Sequence, residues 1–509
     1  GLIAKLILFA TLLQFLPRNR AEAAAQFGGG RKIQSMFVPH AGSLPMPTGP
    51  VAAAGLCPTP RGGACGQSAR RGCLGVFLAR DSSGMDPTEG NGSAEGGVEG
   101  YGDDTKFVKG GHKGSQWTTD PLGRSVVNPP TIHASTVTFP TVGALREATK
   151  DYPFRGLSYG RHGTPTSWAL EEAFATLEGG DKACAVSSGV AAINSAMLAF
   201  LESGDHCLVS DGVYDPTRSF CDHFLARFGV ETTYFDPVCS PKELEAMIKP
   251  NTKLLFLESP SSLSFELHDF SGLAKVGKLH DLAVVCDNTW GPSIFKPLKL
   301  GADVSLNAAT KYIGGHSDLM LGLIACTKET YRRVKLSVKA LGCPAGPDDC
   351  YLALRGIRTL GVRLQRHEES GLAIARWLEQ RPEVTRVMHP ALPSHPQHQV
   401  WKREFTGSCG LFSFQLTDEF GNEAADAFCD SLIQGLFAMG YSWGGFESLV
   451  LPVEINSARS ATQWDYVSPG CGPTVRLHIG LEDVEDLKVD LEGGFAAMRA
   501  RQLEVENKG

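Results

Sequence analysis

Between Gly163 and about residue 330, short apolar segments alternate with helical patterns. The apolar runs predict seven strands, at 184–188, 207–210, 230–236, 253–259, 283–288, 303–307 and 321–327. Helical stretches separate the first five of these strands. Near-continuous apolar strands joined by helices indicate a parallel or mixed sheet that is buried on both faces and binds its ligand at the carboxyl ends of the strands. The sequence therefore predicts an α/β fold.

Helix signals flank these strands. The first helix of the region is predicted to begin at Thr166, a residue type that caps helices, and to end at Gly179. Its apolar residues share one face, at Leu170, Ala173, Phe174 and Leu177. After about residue 358 the pattern changes to long helices, around 364–380 and 421–433, with fewer strands. This change predicts a smaller C-terminal α+β domain.

Composition excludes several classes of protein. With 509 residues, 42% of them hydrophobic and 20% charged, the chain is neither a polytopic membrane protein nor wholly disordered. A net charge of −7 argues against a partner bound through its phosphates, so no nucleic-acid partner is expected. The 14 cysteines form no CxxC pair, which gives no support to a zinc or disulfide framework, and no metal is expected.

The charge is unevenly distributed along the chain. Residues 1–80 contain nine Lys and Arg but a single acidic residue, whereas the remainder is acidic. An apolar run at 2–16 precedes a small-residue stretch at 21–25, and the acid-free segment that follows resembles a transit sequence. Together these features resemble the bipartite leaders of plastid proteins in algae, and they predict delivery to a plastid with no membrane attachment once the leader is removed. The alternative is an N-terminal extension without an address on a cytoplasmic protein.

Three features between residues 187 and 311 indicate a chemical function. Asp287 ends an apolar strand, where a carboxylate needs a cation nearby. Lys311 follows the next strand, and a buried lysine can lose its proton and act as an amine nucleophile. The segment 187–190 joins a strand to a helix whose first N–H groups could hold a phosphate. An aspartate, a lysine and a phosphate-binding helix start together suit pyridoxal 5'-phosphate (PLP).

A resemblance makes this combination specific. Residues 284–320, VVCDNTWGPSIFKPLKLGADVSLNAATKYIGGHSDLM, resemble the signature of the Cys/Met-metabolism PLP-dependent enzymes, and further matching blocks extend from about residue 116 to 500. Within the family, the segments ESPSS, GHSDLM and YSWGG are most similar to the bacterial-type cystathionine β-lyases. The resemblance implies a fold type I, aminotransferase-like PLP enzyme with a mostly parallel seven-stranded sheet domain. Composition predicts a leader at 1–80 and a flexible acidic linker at 81–115. The resemblance then implies an arm contacting the neighbouring subunit at 116–165, a PLP-binding domain at 166–357 and a C-terminal α+β domain at 358–509.

The resemblance also implies roles for individual residues around the cofactor. Lys311 binds the cofactor as a Schiff base and moves protons, Asp287 pairs with the pyridinium nitrogen, and Tyr214 stacks on the ring and takes part in catalysis. The phosphate is held by Gly189 and Val190 through their N–H groups and by the hydroxyl of Thr310. Many relatives have a serine where this chain has Ala309, so one phosphate hydrogen bond is expected to be missing.

Other implied roles concern the substrate and the neighbouring subunit. Arg476 matches the clamp for the substrate α-carboxylate, and Ser442 and Trp443 match the lining of the substrate pocket. Tyr159 and Arg161 match a pair that reaches the neighbour's cofactor phosphate, which implies a dimer with shared active sites and, as in much of the family, a homotetramer.

The implied activity is carbon–sulfur β-elimination on a small amino-acid thioether, L-cystathionine, giving homocysteine, pyruvate and ammonia in methionine biosynthesis. Three alternatives stay open: a broader cysteine-S-conjugate β-lyase, a γ-synthase or γ-lyase on the same scaffold, and a cofactor-binding protein that has lost catalysis. The hypothesis that the histidines at 389, 395 and 398 bind a metal has less support, because no cysteine accompanies them.

Overall fold

The computed structural model describes residues 101–111, 122–150, 152–154, 156–462 and 470–507. All of them belong to one compact unit, residues 82–509. The predicted leader at 1–80 and most of the predicted linker lie outside the described residues. Within the described part of the chain, no helix is both long enough and apolar enough to cross a membrane.

A seven-stranded sheet forms the larger domain. Its strands are β1 Lys182–Val186, β2 His206–Ser210, β3 Glu231–Phe235, β4 Thr252–Glu258, β5 Ala283–Asp287, β6 Val304–Ala308 and β7 Gly322–Cys326. They lie in the order β1-β7-β6-β5-β4-β2-β3, and only β7 runs antiparallel to its neighbours. The predicted mostly parallel sheet is confirmed, and each of the seven predicted strands overlaps an observed one.

Helices cover both faces of this sheet. The helices assigned up to residue 358 are α1 Asp103–Lys109, α2 Val142–Lys150, α3 Pro165–Glu178, α4 Gly189–Leu198, α5 Asp215–Ser219, α6 Pro241–Ala246, α7 Phe270–Leu279, α8 Lys328–Leu341 and α9 Pro347–Arg358, of which α2 buries none of its residues. Successive residues of β4 point to opposite faces, so Leu255 packs in one apolar core and Phe256 in the other. Two-sided burial explains why the strands read as continuous apolar runs.

The smaller C-terminal domain has its own sheet and core. Its strands, β8 Val384–Met388, β9 Leu411–Leu416, β10 Ala438–Met439, β11 Leu449–Val453 and β12 Thr474–His478, lie in the order β10-β11-β12-β9-β8. Its helices are α10 Leu360–Leu378, α11 His398–Glu404, α12 Asn422–Leu432 and α13 Val484–Glu506. The aromatic rings of Phe412, Phe414, Phe428 and Phe495 fill the core between sheet and helices.

Two local predictions are wrong. The cap of α3 is Thr164, not Thr166, because Pro165 occupies the first helical position and the Ser167 hydroxyl accepts the Thr164 N–H at 3.0 Å. The predicted flexible linker contains α1, which is docked on the domain. Phe107 of α1 is buried, and the Arg358 guanidinium donates to the backbone oxygens of Phe107, Val108 and Gly110.

The three histidines considered as metal ligands bond to backbone. His389 and His395 accept the N–H groups of Ala391 and Gln397, each at 3.2 Å, and the Nδ1 atom of His398 lies 3.2 Å from the Pro390 oxygen. In the ranges that the structure describes, no three His, Cys, Asp or Glu side chains form a metal-binding group.

Candidate active site

The carboxyl edge of the parallel strands brings the charged groups of the site together. Strand β5 ends at Asp287, and the neighbouring β6 ends three residues before Lys311. Asp287 is buried, and its Oδ1 atom accepts both the N–H and the hydroxyl of Thr289, at 3.0 and 2.6 Å. The Thr289 hydroxyl also accepts the Ala308 N–H at 2.9 Å, which ties the two strand ends together. Burial raises the pKa of Asp287 to about 6, although the bonds from Thr289 and the charge of Lys311 oppose the rise.

Lys311 lies in the turn after β6. Its N–H bonds to the Ala308 oxygen at 3.0 Å, and its side-chain amine donates to the Ser442 Oγ atom at 2.8 Å. The amine also lies 5.2 Å from the centre of the Trp443 ring. Burial lowers the pKa of Lys311 to about 8, and the charge of Arg476 acts in the same direction while Asp287 opposes it. A substantial neutral fraction near pH 8 makes this amine a nucleophile and a proton carrier.

Arg476 on β12 supports the loop that carries Ser442 and Trp443. Its guanidinium donates to the backbone oxygens of Gly440 and Tyr441, at 3.4 and 3.3 Å. Burial lowers its pKa to about 10, so the group stays cationic at neutral pH. Within the described residues it forms no ion pair with a carboxylate. A cation in this position can bind a carboxylate that the substrate supplies.

Tyr214 follows β2 at the same edge. Its N–H donates to the Glu258 Oε2 atom at 2.7 Å, and the other oxygen of Glu258 accepts the Ser262 hydroxyl at 2.6 Å. The Tyr214 side chain is 44% exposed, as a group that stacks on a ligand requires. Burial and then the charges of Glu258 and Asp287 raise the pKa of the phenol, so Tyr214 is neutral at physiological pH.

The start of α4 approaches β6 closely. A Cβ atom at Gly189 would lie 2.7 Å from the Ala308 Cβ atom, so only glycine fits here. The Ser188 hydroxyl caps the helix by accepting the Ala191 N–H at 3.0 Å. The N–H groups of Gly189 and Val190 have no acceptor within the helix, because they belong to its first turn. This helix start can therefore bind an anion at the edge that carries Lys311.

Thr310 and Ala309, which precede Lys311, form hydrogen bonds within the protein. The Thr310 hydroxyl, predicted to bind phosphate, donates to the Met320 sulfur at 3.5 Å and accepts the Leu321 N–H at 3.2 Å. Ala309 is fully buried, and its oxygen accepts the Gly314 N–H at 2.7 Å.

Tyr159 and Arg161 line a separate groove. The groove has a volume of about 340 Å³, and neither Lys311 nor Asp287 is among its lining residues. Arg161 donates to the Lys339 oxygen at 3.1 Å, and the Tyr159 side chain is 42% exposed. The structure thus brings Lys311, Asp287, Tyr214, Arg476, Ser442 and Trp443 together and places the other pair elsewhere on the chain.

Two residues of the site were missed from the sequence. Glu258 connects Tyr214 to Ser262, and His478 accepts a hydrogen bond from the loop after Ser442, at Gly444. Both lie in segments that carry the resemblance, but nothing in the sequence shows which backbone group each side chain contacts. The acidic residue at the end of an apolar strand, as in Glu258, was the available signal.

A partly buried lysine, a buried aspartate and an anion-binding helix start at the carboxyl edge of a parallel sheet define an enzyme that works through a bound cofactor. The sequence profile of the Cys/Met metabolism PLP-dependent enzymes matches residues 104–496, and the chain belongs to this family. A relative from Rhizobium johnstonii is 47% identical over 74% of this chain and 92% of its own length.

Two further proteins are similar to this chain, one by sequence and one by structure. The cystathionine beta-lyase MetC of Escherichia coli is 42% identical and covers 77% of this chain and 98% of its own. The crystal structure of metB from Corynebacterium glutamicum superimposes with a TM-score of 0.68 at 33% identity, over 78% of this chain and 98% of that one. The fold is therefore the fold type I arrangement of PLP enzymes, and the chain is a PLP-dependent carbon–sulfur lyase.

The residues present fit this cofactor. Asp287 is a buried carboxylate with hydrogen bonds on one oxygen, the arrangement that a protonated ring nitrogen needs. The close packing of Gly189 on Ala308 brings the helix start to the strand that leads to Lys311, so a phosphate at the helix and an aldehyde at the lysine can belong to one small molecule.

Proposed function

We propose that the chain is a cystathionine β-lyase, which cleaves L-cystathionine with water to homocysteine, pyruvate and ammonia. Relatives that carry this name support the proposal, at 40 to 42% identity over most of the chain. The main structural support for this function is the 2.8 Å hydrogen bond from the Lys311 amine to Ser442, because it places the amine against the loop that Arg476 supports. One pocket therefore contains both a proton carrier and a carboxylate clamp.

The side chains divide the work. We assign the α-carboxylate of the substrate to Arg476, because its guanidinium is partly buried and forms no ion pair within the described residues. Lys311, as a neutral amine, takes the proton from Cα and returns it to the sulfur that leaves from Cβ with the bonding electron pair. Tyr214 orients the substrate amine. When bound, PLP supplies the electron delocalisation that makes the Cα proton acidic.

Product analysis tests this function. The chain from residue 101 onward, purified with PLP, is given L-cystathionine, and the keto acid is identified. Pyruvate with homocysteine is the expected result, whereas 2-oxobutyrate with cysteine would overturn the β-lyase in favour of a γ-lyase. Equal kcat/KM on simple S-alkylcysteines would favour the broader cysteine-S-conjugate β-lyase. The Lys311→Ala variant serves as the control, and it is expected to lose both the covalently bound cofactor and turnover.

We also propose that the active unit is a dimer whose sites use Tyr159 and Arg161 of the neighbouring subunit, assembled further into a homotetramer. The placement of this pair in a groove of its own supports the proposal. Lys311→Ala and Arg161→Ala are each expected to be inactive, but subunits mixed and reassembled should regain about a quarter of wild-type activity, because mixed dimers contain one intact site. Mixtures that stay inactive would contradict shared sites.

For residues 1–80 we propose a leader that delivers the chain to a plastid, which would suit a role in methionine synthesis. The basic, acid-free composition up to residue 80 supports it. A fluorescent protein fused behind residues 1–115 should accumulate in plastids of an algal cell, whereas diffuse cytoplasmic signal would favour an extension without an address.

A further inference from the structure

His478, at the end of β12, is buried beneath residues 440–446, the loop that carries Ser442 and Trp443 and is called the substrate loop below. It lies two residues after Arg476, so both side chains extend from the same face of the strand. The Gly444 N–H bonds to the His478 Nε2 atom at 3.1 Å, and the Gly445 oxygen lies 3.2 Å from the same atom. The Nδ1 atom on the other side of the ring lies 3.4 Å from the Tyr312 hydroxyl. The imidazole thus stands between the loop and the residue next to Lys311.

The contact between the loop and the lysine leaves no spare room. Gly444 has a φ of +82°, and a Cβ atom there would lie 2.8 Å from the Tyr312 nitrogen and 3.0 Å from the Lys311 carbonyl carbon. The loop backbone therefore rests directly on the peptide that follows the lysine. Two residues earlier, Ser442 accepts the Lys311 amine at 2.8 Å. A shift of Gly444 would move this acceptor relative to the amine.

The Gly444 N–H bond assigns the ring proton to Nδ1, because Nε2 must be the accepting nitrogen. The Nδ1–H group then donates to the Tyr312 hydroxyl. Burial, followed by the charges of His367, Arg476 and Lys311, holds the pKa of His478 well below its usual range. The ring is therefore neutral and retains one accepting nitrogen at physiological pH.

We propose that His478 is a positioning residue of the reaction: it fixes the Gly444–Gly445 backbone against Tyr312 and thereby holds Ser442 and Trp443 at the lysine amine. The catalytic part of this inference rests on the proposed β-lyase function. The structural part, that the loop is fixed through one nitrogen of the imidazole, does not.

Two substitutions separate the two sides of the ring. The amide of His478→Gln reaches about as far as Nε2, so it can keep the bond to the loop. The amide of His478→Asn reaches only about as far as Nδ1, so it keeps the contact to Tyr312 and loses the loop. The control is His367→Asn. The His367 ring packs 5.3 Å from the His478 ring, but its Nδ1 atom bonds to the Ile479 oxygen and not to the loop.

Hydrogen exchange of the holoenzyme, measured by mass spectrometry on peptides covering 441–446, reads out the loop directly. Exchange should rise about tenfold or more in His478→Asn and stay within about threefold of wild type in His478→Gln and His367→Asn. The kcat/KM on L-cystathionine should fall about 10- to 100-fold in the Asn variant and recover most of this loss in the Gln variant, because small misplacements at a reacting group are costly.

Equal exchange in the Asn and Gln variants, or increased exchange in His367→Asn, would overturn the positioning role. Should His478→Asn fail to fold, Tyr312→Phe breaks the same bridge from its other end and should also loosen residues 441–446; unchanged exchange in that variant would count against the proposal. If wild type does not cleave cystathionine, the exchange comparison still decides the structural part, so failure of the proposed function is recognised separately.

Discussion

Glu258 on β4 and Asp287 on β5 are paired in register at the carboxyl ends of adjacent parallel strands, which brings two carboxyl groups together at the cofactor edge. Burial and then the charge of Asp287 raise the pKa of Glu258 to about 8, and burial raises that of Asp287 to about 6. Two such groups do not both ionise readily near neutral pH, so the pair retains a proton there. Glu258 nevertheless accepts hydrogen bonds from Tyr214 and Ser262, so it links the carboxyl pair to Tyr214.

The first prediction concerns Glu258→Gln in the cofactor-free protein. The folded protein binds more protons than the unfolded chain between the ordinary pKa of Glu258, 4.5, and its raised value of about 8. This group therefore stabilises the fold fully below pH 4.5, and its contribution is lost as the pH rises through about 8. Relative to wild type, the Gln variant should gain stability from pH 5 to 9, by up to a few kcal/mol. Urea unfolding across this range measures the difference, and a difference that does not vary with pH would contradict the raised pKa.

The second prediction concerns Lys311 and the capture of the cofactor. Only the neutral amine attacks the aldehyde, so the rate of PLP capture by the cofactor-free protein should rise about tenfold per pH unit up to a midpoint near pH 8 and then level off. Ser442→Ala removes an acceptor that favours the charged amine, so its midpoint should lie lower, by up to about one pH unit. Stopped-flow absorbance gives both profiles. A wild-type midpoint near the ordinary lysine value would show that burial does not tune this amine.

Much of the sheet could be predicted because its cause is local. Strands buried on both faces must be apolar along their whole length, so each of the seven is visible in a few residues. The direction of β7 could not be read in this way. The connection from Ala308 to Gly322 contains Lys311 and no assigned helix, and the antiparallel pairing of β7 with β6 and β1 is a property of the assembled sheet.

The wrong linker prediction and the two missed site residues both reflect contacts between segments that are distant in the sequence. Residues 103–109 lie within the acidic, Gly-rich segment 81–115, so the pattern predicts a linker, but Phe107 and Arg358 interact across 251 positions of the chain. Resemblance identified Lys311, Ser442 and Arg476 one by one. It did not identify Glu258 and His478, whose roles follow from contacts with the backbone of distant segments.

The third prediction concerns Asp211, a fully buried carboxylate that fixes a segment of the C-terminal domain next to Tyr214. It pairs with Arg218 at 2.6 Å and accepts the N–H groups of Ser460, Ala461 and Thr462, at 3.0, 3.0 and 2.9 Å. Asp211→Asn leaves the Arg218 cation without its partner and should cost about 3 to 5 kcal/mol in unfolding free energy.

Combining Asp211→Asn with Arg218→Gln removes the uncompensated charge, so the double variant should be less destabilised than the sum of the single variants. Chemical denaturation of the four proteins measures this coupling. Strict additivity would mean that the Asp211–Arg218 pair makes no net contribution to the unfolding free energy.

The last prediction compares two glycines of the substrate loop. Gly444 has a positive φ, and a methyl group there would meet the backbone of Lys311 and Tyr312 at 3.0 Å or less. Gly440 has no heavy atom within 4 Å of the corresponding position and no positive φ.

Gly444→Ala should therefore lower the unfolding free energy by about 1 to 3 kcal/mol and kcat/KM by at least about tenfold, because relieving the clash moves Ser442 away from the amine. Gly440→Ala should alter neither quantity beyond about twofold in rate and about 0.5 kcal/mol in stability. Denaturation and steady-state kinetics on the same preparations test the pair. Comparable losses in both variants would mean that the loop responds to any added side chain, and that its contact with the Lys311–Tyr312 peptide does not set the geometry of the site.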